Sequence, residues 1–185
     1  FQATAEPALL RPRPISIEEL TVTARKREEK LLDTPVALTA ISRGEVQDLN
    51  VRRIQDISTQ VPNLAFDASS DTSNAGRINL RGVGNGDSIA TDDPGVGVYV
   101  DGVYLARAQA ALLGVVDIER IEVLRGPQGT LFGKNTIGGA IHIIPVKPNL
   151  SLLGGDASIR VGNYDAFESR LSLYLPLVPG GAALG

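Results

Sequence analysis

The clearest alternation of apolar and polar positions lies near the end of the chain. Phe167, Ser169, Leu171, Leu173 and Leu175 interleave with Glu168, Arg170, Ser172 and Tyr174, and Ala157, Ile159 and Val161 interleave with Ser158 and Arg160. A period of two puts each set on its own face of a strand. Gly162-Asn163-Tyr164-Asp165 lies between the runs and suits a tight turn, so the two runs predict an antiparallel hairpin. Pro179-Gly180-Gly181 supplies the next turn, where a third strand would start. This alternation fits a membrane β-barrel with apolar residues to lipid and polar ones to the lumen, and it fits an amphipathic hairpin of a soluble protein as well.

Upstream the texture is different. Val36 to Ile41 suits a strand. Ser42 followed by Glu45 is the spacing of a capping box, in which the two side chains satisfy the free N–H groups of a helix start, and a short helix is expected from there to about Leu49. A second is expected over Ile54 to Val61, stopping before Pro62 because the residue ahead of a proline avoids the helical region. Short strands are then expected at Leu64–Asp67, Arg77–Arg81, Val96–Val100, Ile121–Leu124 and Ala140–Ile144. Between them lie turn-rich stretches at Ser69–Gly76, Gly82–Gly97 and Gly126–Gly139. Two early helices with interleaved short strands indicate an α+β domain. Residues 1–34 read as a flexible arm: three prolines lie by position 14, and the charge run from Arg25 to Lys30 has no apolar partners. Within that arm Ile15, Ile17, Leu20, Val22 and Thr23 form one β-prone patch. Phe1 in place of Met indicates either a removed leading segment or a fragment.

Composition sharpens this picture in a few places. Apolar residues make up 43% and charged residues 21% of 185, which indicates a folded chain with a core. With 20 glycines and only 4% aromatics, that core must be built from Val, Ile, Leu and Ala. The net charge of −3 comes from interspersed signs, so no basic footprint for nucleic acid exists. No cysteine and one histidine leave no disulfide, no thiolate metal site and no expected cofactor. No apolar run reaches the roughly 20 residues of a membrane helix.

Candidate chemistry is sparse. Around Gly133-Lys134 a phosphate-binding loop would need Gly where Gln128 stands and Ser or Thr where Asn135 stands. Gly82-Val83-Gly84-Asn85-Gly86 lacks the dinucleotide spacing. His142 sits in a β-branched run and reads as a packed strand residue, and Asp92-Asp93 as a solvated loop pair more than a calcium site. No nucleophile–base or paired-carboxylate set is present, so no enzyme activity is expected.

One long segment is more specific. Ile118-Glu-Arg-Ile-Glu-Val-Leu-Arg-Gly-Pro-Gln-Gly-Thr-Leu-Phe-Gly-Lys-Asn-Thr-Ile-Gly-Gly-Ala-Ile-His-Ile-Ile144 closely resembles the plug-domain motif of TonB-dependent outer-membrane receptors. Three further stretches agree in order. Glu18-Glu19-Leu20-Thr21-Val22-Thr23-Ala24 resembles the TonB box, Ile78-Asn79-Leu80-Arg81-Gly82 the first of two Arg-Gly strand ends, and Val98-Tyr99-Val100-Asp101-Gly102-Val103 the strand before the apical loop. The resemblance spans roughly residues 15–175.

The resemblance implies a compact plug of short mixed strands and two short helices at 35–148. At 149–185 it implies the first antiparallel strands of a transmembrane β-barrel, cut off soon after it begins. It implies an outer-membrane location in a Gram-negative bacterium, with plug and TonB box facing the periplasm. The implied activity is energy-coupled import of a scarce ligand. A ferric siderophore is the commonest cargo, with vitamin B12, saccharides and other metals as alternatives. Residues 18–24 would bind the periplasmic C-terminal domain of TonB by strand addition. Arg81 and Arg125 would pair with glutamates of the barrel wall, since the guanidinium fork stays charged and grips a carboxylate at two points. Neither should then find a buried mate in this chain. Gly82, Gly126, Pro127, Gly129, Gly133, Gly138 and Gly139 would supply turns, and the loops at Ser69–Gly76 and Asn85–Asp93 the substrate-facing apex. A free plug module, folding alone and binding TonB or a ligand, is the alternative from another functional class.

Overall fold

A run of Ile, Val and Leu interrupted only by charged residues, Ile118 to Arg125, is the spine of the fold. The structure is a computed structural model that describes residues 20–24, 26–27, 29–68, 76–84, 93–106, 117–147, 153–178 and 182–184. In chain order the elements are β1 (Thr21–Val22), β2 (Glu29–Lys30), β3 (Leu38–Ser42), α1 (Arg43–Asp48), β4 (Leu64–Ala68), β5 (Gly76–Leu80), β6 (Val83–Gly84), β7 (Val96–Val100), β8 (Val103–Leu105), β9 (Ile118–Arg125), α2 (Gly129–Phe132), β10 (Gly139–Pro145), β11 (Gly154–Val161), β12 (Phe167–Val178) and β13 (Ala182–Leu184). Short 3-10 turns occupy Leu31–Asp33 and Ile54–Thr59.

The main sheet has the order β3-β9-β10-β7-β8. β10 runs parallel to β7, and the other neighbours are antiparallel. Both faces of β9 and β10 are covered, and the period of two sorts their side chains into two cores. Ile121, Val123, Ile141 and Ile143 face a core that also takes in Ile54, Ile57, Leu64 and Leu80. Leu124 and Ala140 face the other way, toward Tyr99, Phe132, Val22 and Ala24. Each fully buried Ile or Val side chain contributes about 1.5–3 kcal/mol, so the first, larger cluster carries most of the stability.

The capping box forms as the sequence indicates: the Glu45 N–H donates to Ser42 Oγ at 3.4 Å and the Ser42 N–H to Glu45 Oε2 at 2.8 Å. The second expected helix is instead a 3-10 turn. Asp56 Oδ2 accepts from the Arg52 and Arg53 N–H groups at 2.8 and 2.9 Å, and the tighter winding stacks Ile54 over Ile57, both without exposed surface. One helical turn, α2, arises inside a glycine-rich stretch that the sequence marks only as turns. Burial of Phe132 against the Tyr99 ring, 5.0 Å between centroids, holds it there.

The expected hairpin forms with Val161 opposite Phe167 and Gly154 opposite Tyr174, and β13 adds the third strand. Its orientation is informative. Ile159, Phe167, Leu171 and Leu173 are exposed, whereas Tyr174 on the opposite face is only 9% exposed. The polar face turns to the rest of the molecule: Arg43 Nη2 lies 2.8 Å from Asp156 and 3.6 Å from Asp117, and the Tyr174 hydroxyl donates to Asp117. An ordinary amphipathic hairpin packs the other way round, with its apolar face on the core. Among the described residues no helix is long and apolar enough to cross a membrane, which says nothing about strands.

Candidate plug site and its N-terminal segment

Three features bring the sequence-derived site residues together. The first is the pair of Arg-Gly strand ends. Arg81 follows β5 with φ 54°, and its N–H donates to the Asn63 carbonyl at 2.9 Å. Arg125 ends β9, its N–H donating to Ala37 at 2.8 Å. The two ends converge: a methyl placed on Gly126 would sit 3.4 Å from Arg81 Nη1, and Gly126 has φ +101°, so the turn needs a residue without a side chain. Among the described residues neither arginine has a carboxylate within ion-pair distance, and Arg125 Nε is buried without a hydrogen bond.

The remaining turn residues lie in the β5–β6 turn and the β9–β10 connection. Gly82 lies in the β5–β6 turn, Gly126 and Pro127 follow β9, Gly129 opens α2, Gly133 closes it, and Gly138 precedes β10. Gly139 starts β10 with φ +148°, where an added Cβ would lie 2.2 Å from the Leu124 carbonyl. Only glycine allows the two strands to meet this closely.

The second feature is the N-terminal segment. Glu18 and Glu19 lie outside the described residues. Leu20 to Ala24 are folded onto the sheet, whereas the sequence reading starts order near Pro35. Val22 has no exposed surface and Ala24 only 1%. β1 pairs antiparallel with β2, Thr21 opposite Lys30 and Val22 opposite Glu29. The sequence signal for this docking is the β-prone patch, whose members Leu20 and Val22 pack against the sheet.

The third feature is a buried polar cluster that sequence reasoning missed. Glu122, in the middle of β9, has no exposed surface. Its Oε1 accepts from the Thr23 N–H at 2.7 Å, the Thr23 hydroxyl at 3.2 Å and Arg120 Nε at 2.9 Å. Arg120 also donates to Glu119 and, at 3.4 Å, to Thr23 Oγ1. His142 stands opposite Glu122 on β10. The Gly102 N–H donates to its Nε2 at 3.1 Å, so the neutral ring carries its hydrogen on Nδ1, which faces Glu122 Oε2 at 3.9 Å. That gap is too long for a direct hydrogen bond, and both atoms are buried without a hydrogen-bond partner. Burial pushes the Glu122 carboxyl up, but His142, the Thr23 N–H and Arg120 together outweigh it and hold the group below its ordinary value. Nearby, burial and then the Tyr104 hydroxyl push Tyr99 above its ordinary value, keeping it a neutral donor to the Phe132 carbonyl at 2.5 Å.

The loops at 69–75 and 85–92, with Asp92, lie outside the described residues. Asp93 is described and accepts from Asn135 Nδ2 at 3.2 Å. Among the described residues no group of three His, Cys, Asp or Glu side chains could hold a metal ion.

Comparison with known proteins decides what this arrangement is. The family model for the TonB-dependent receptor plug domain matches residues 30–140. The chain belongs to the TonB-dependent receptor plug family. It is 32% identical over 162 residues to the pesticin receptor of Yersinia pestis, covering 87% of this chain and 23% of that receptor. It is 28% identical over 148 residues to the vitamin B12 transporter BtuB of Vibrio vulnificus strain YJ016, covering 80% of this chain and 24% of the transporter. The crystal structure of the ferric yersiniabactin uptake receptor FyuA from Yersinia pestis superposes with a TM-score of 0.65 at 33% identity, over 77% of this chain and 22% of FyuA. The chain thus spans about a quarter of the length of the curated relatives it matches. The mixed sheets and short helices are those of a plug, and β11 to β13 those of the first barrel strands. This is an outer-membrane receptor plug and not an enzyme.

Proposed function

We propose that this plug gates an energy-coupled importer of a scarce ligand, and that residues 18–24 deliver the energy by binding the periplasmic domain of TonB. The observation that carries the reading is the outward apolar face of the β11–β12 hairpin, combined with an inward polar face that grips the plug through Arg43, Asp117 and Asp156. A lipid-facing barrel wall around a plug has this polarity. A free module would leave the same face in water, where it invites aggregation.

In this reading Arg81 and Arg125 anchor the plug by pairing with carboxylates of the barrel wall, which would account for neither guanidinium having a carboxylate partner among the described residues. The cargo class is a ferric siderophore, supported by the likeness to a ferric yersiniabactin receptor at 33% identity. Loops 69–76 and 85–93 read it.

The test is a pull-down by the C-terminal domain of TonB, comparing the intact chain with one lacking residues 18–24. Capture should be lost while far-UV circular dichroism stays that of the intact chain. Undiminished capture would sink the assignment of the segment.

A further inference from the structure

We propose that Glu122 is a latch that holds residues 20–24 of the segment in a closed form, which must open before the segment can add a strand to a partner. The proposal deepens the reading of that segment as the TonB-binding strand and rests on it. Strand addition needs a free row of backbone N–H and C=O groups. Here that row is occupied. The Leu20 carbonyl accepts from Leu31 at 2.9 Å, Thr21 and Val22 pair with β2, and the Thr23 carbonyl accepts from Lys26 at 2.8 Å. The Thr23 N–H is held by a side chain from the plug sheet itself, at 2.7 Å, from a residue 99 positions away.

The chemistry singles Glu122 out. A carboxylate in the centre of a strand covered on both sides is costly to bury, and it persists only where donors compensate. Its Oε1 takes three donors, two of them from Thr23. Arg120 closes the set by donating both to Glu122 and to Thr23 Oγ1, so the charge pair and the segment are held together. Its partners Thr23, Arg120 and His142 line a cleft of about 580 Å³, together with Lys26 and Arg27 among others, while Glu122 itself is buried behind them. β1 is only two residues long, so the ladder to β2 is too short to hold the segment alone. Without the Glu122 contacts the segment should peel from the sheet while β9 and β10, held by their own ladder, stay in place.

The experiment uses the full chain with Glu122→Gln, which keeps the shape and removes the charge, and reads two quantities. The chain has no cysteine, so a single Val22→Cys reports release of a fully buried position by its rate of thiol labelling. Capture by the TonB C-terminal domain reports competence for strand addition. Glu122→Gln should speed labelling by about tenfold and strengthen capture, the size expected for losing one charge-assisted hydrogen bond. Unchanged labelling in a variant of native circular dichroism overturns the latch. Faster labelling with no capture by either protein upholds the latch and overturns the TonB reading of the segment. Should the variant not fold, amide exchange on the unsubstituted chain decides. Thr23 should exchange well below the unstructured rate, and exchange at that rate overturns the proposal.

Discussion

Ile121 and Glu122 are neighbours in one strand, both without exposed surface, and they face opposite sides of the same sheet. On the Ile121 side the contacts are apolar and numerous, drawn from β5, β7, β10 and the 3-10 turn. On the Glu122 side a smaller apolar cluster surrounds a charged centre, and its lid is a two-residue strand. The first face is built to be permanent. The second buries its residues through contacts that a change of one side chain or one proton can undo. The difference teaches where a plug can move without unfolding: on the face closed by polar contacts to the chain's own N-terminal segment.

The largest break in that comparison is Ile121→Ala. Truncating a fully buried isoleucine costs about 2–5 kcal/mol through lost transfer energy and the cavity left behind. Thermal unfolding should shift down sharply and cooperatively, with the midpoint change the same at pH 5 and pH 7. A loss under about 1 kcal/mol would mean that the Ile121 face is not the permanent one.

Much of this contrast was legible in sequence. The strands at 64–67, 96–100, 121–124 and 140–144 follow from short apolar runs between turn formers, and the Ser42–Glu45 cap follows from spacing alone. These signals are local, so they survive folding unaltered. The Glu122 cluster was not legible, because its partner Thr23 lies 99 residues away and nothing local reports the contact. A charge amid Ile, Val and Leu was the available hint, and its i−2 arginine on the same face the second. The short β1–β2 ladder escaped for the same reason, since a charge run next to it reads as solvated until the sheet beneath is known. The 3-10 turn at Ile54–Thr59 escaped because periods of 3.0 and 3.6 cannot be told apart over six residues.

A proton should sharpen the comparison by loosening one face only. The Glu122 carboxyl is held below its ordinary value: burial raises it, and His142, the Thr23 N–H and Arg120 outweigh that. Its folded value is therefore lower than the unfolded one, about 4.3 for a free Glu. The stability it contributes is complete above about pH 5 and is lost as pH falls from there through the folded value. Arg120 and Glu119 on the same strand, His142 on β10, Lys147 after it, Lys26 and Arg27 after β1 and Asp101 in the β7–β8 turn line the neighbouring cleft. Glu122→Gln isolates the Glu122 share of the slope. The acid loss should be smaller in that variant, and an identical slope in both proteins would assign it elsewhere.

The smallest effect tests whether the polar contacts on the Glu122 side act separately. Tyr99 lies on that side, its ring 5.0 Å from Phe132 and its hydroxyl donating to the Phe132 carbonyl at 2.5 Å. Tyr99→Phe keeps the ring packing and leaves that carbonyl without its donor, a cost of about 1 kcal/mol. The contact holds α2 against the sheet and does not touch Thr23. Unfolding should therefore move slightly, while labelling of a cysteine at position 22 stays at its starting rate. If labelling rises with Tyr99→Phe as it does with Glu122→Gln, the whole face loosens as one unit, and the segment is held by general packing instead of by one carboxylate.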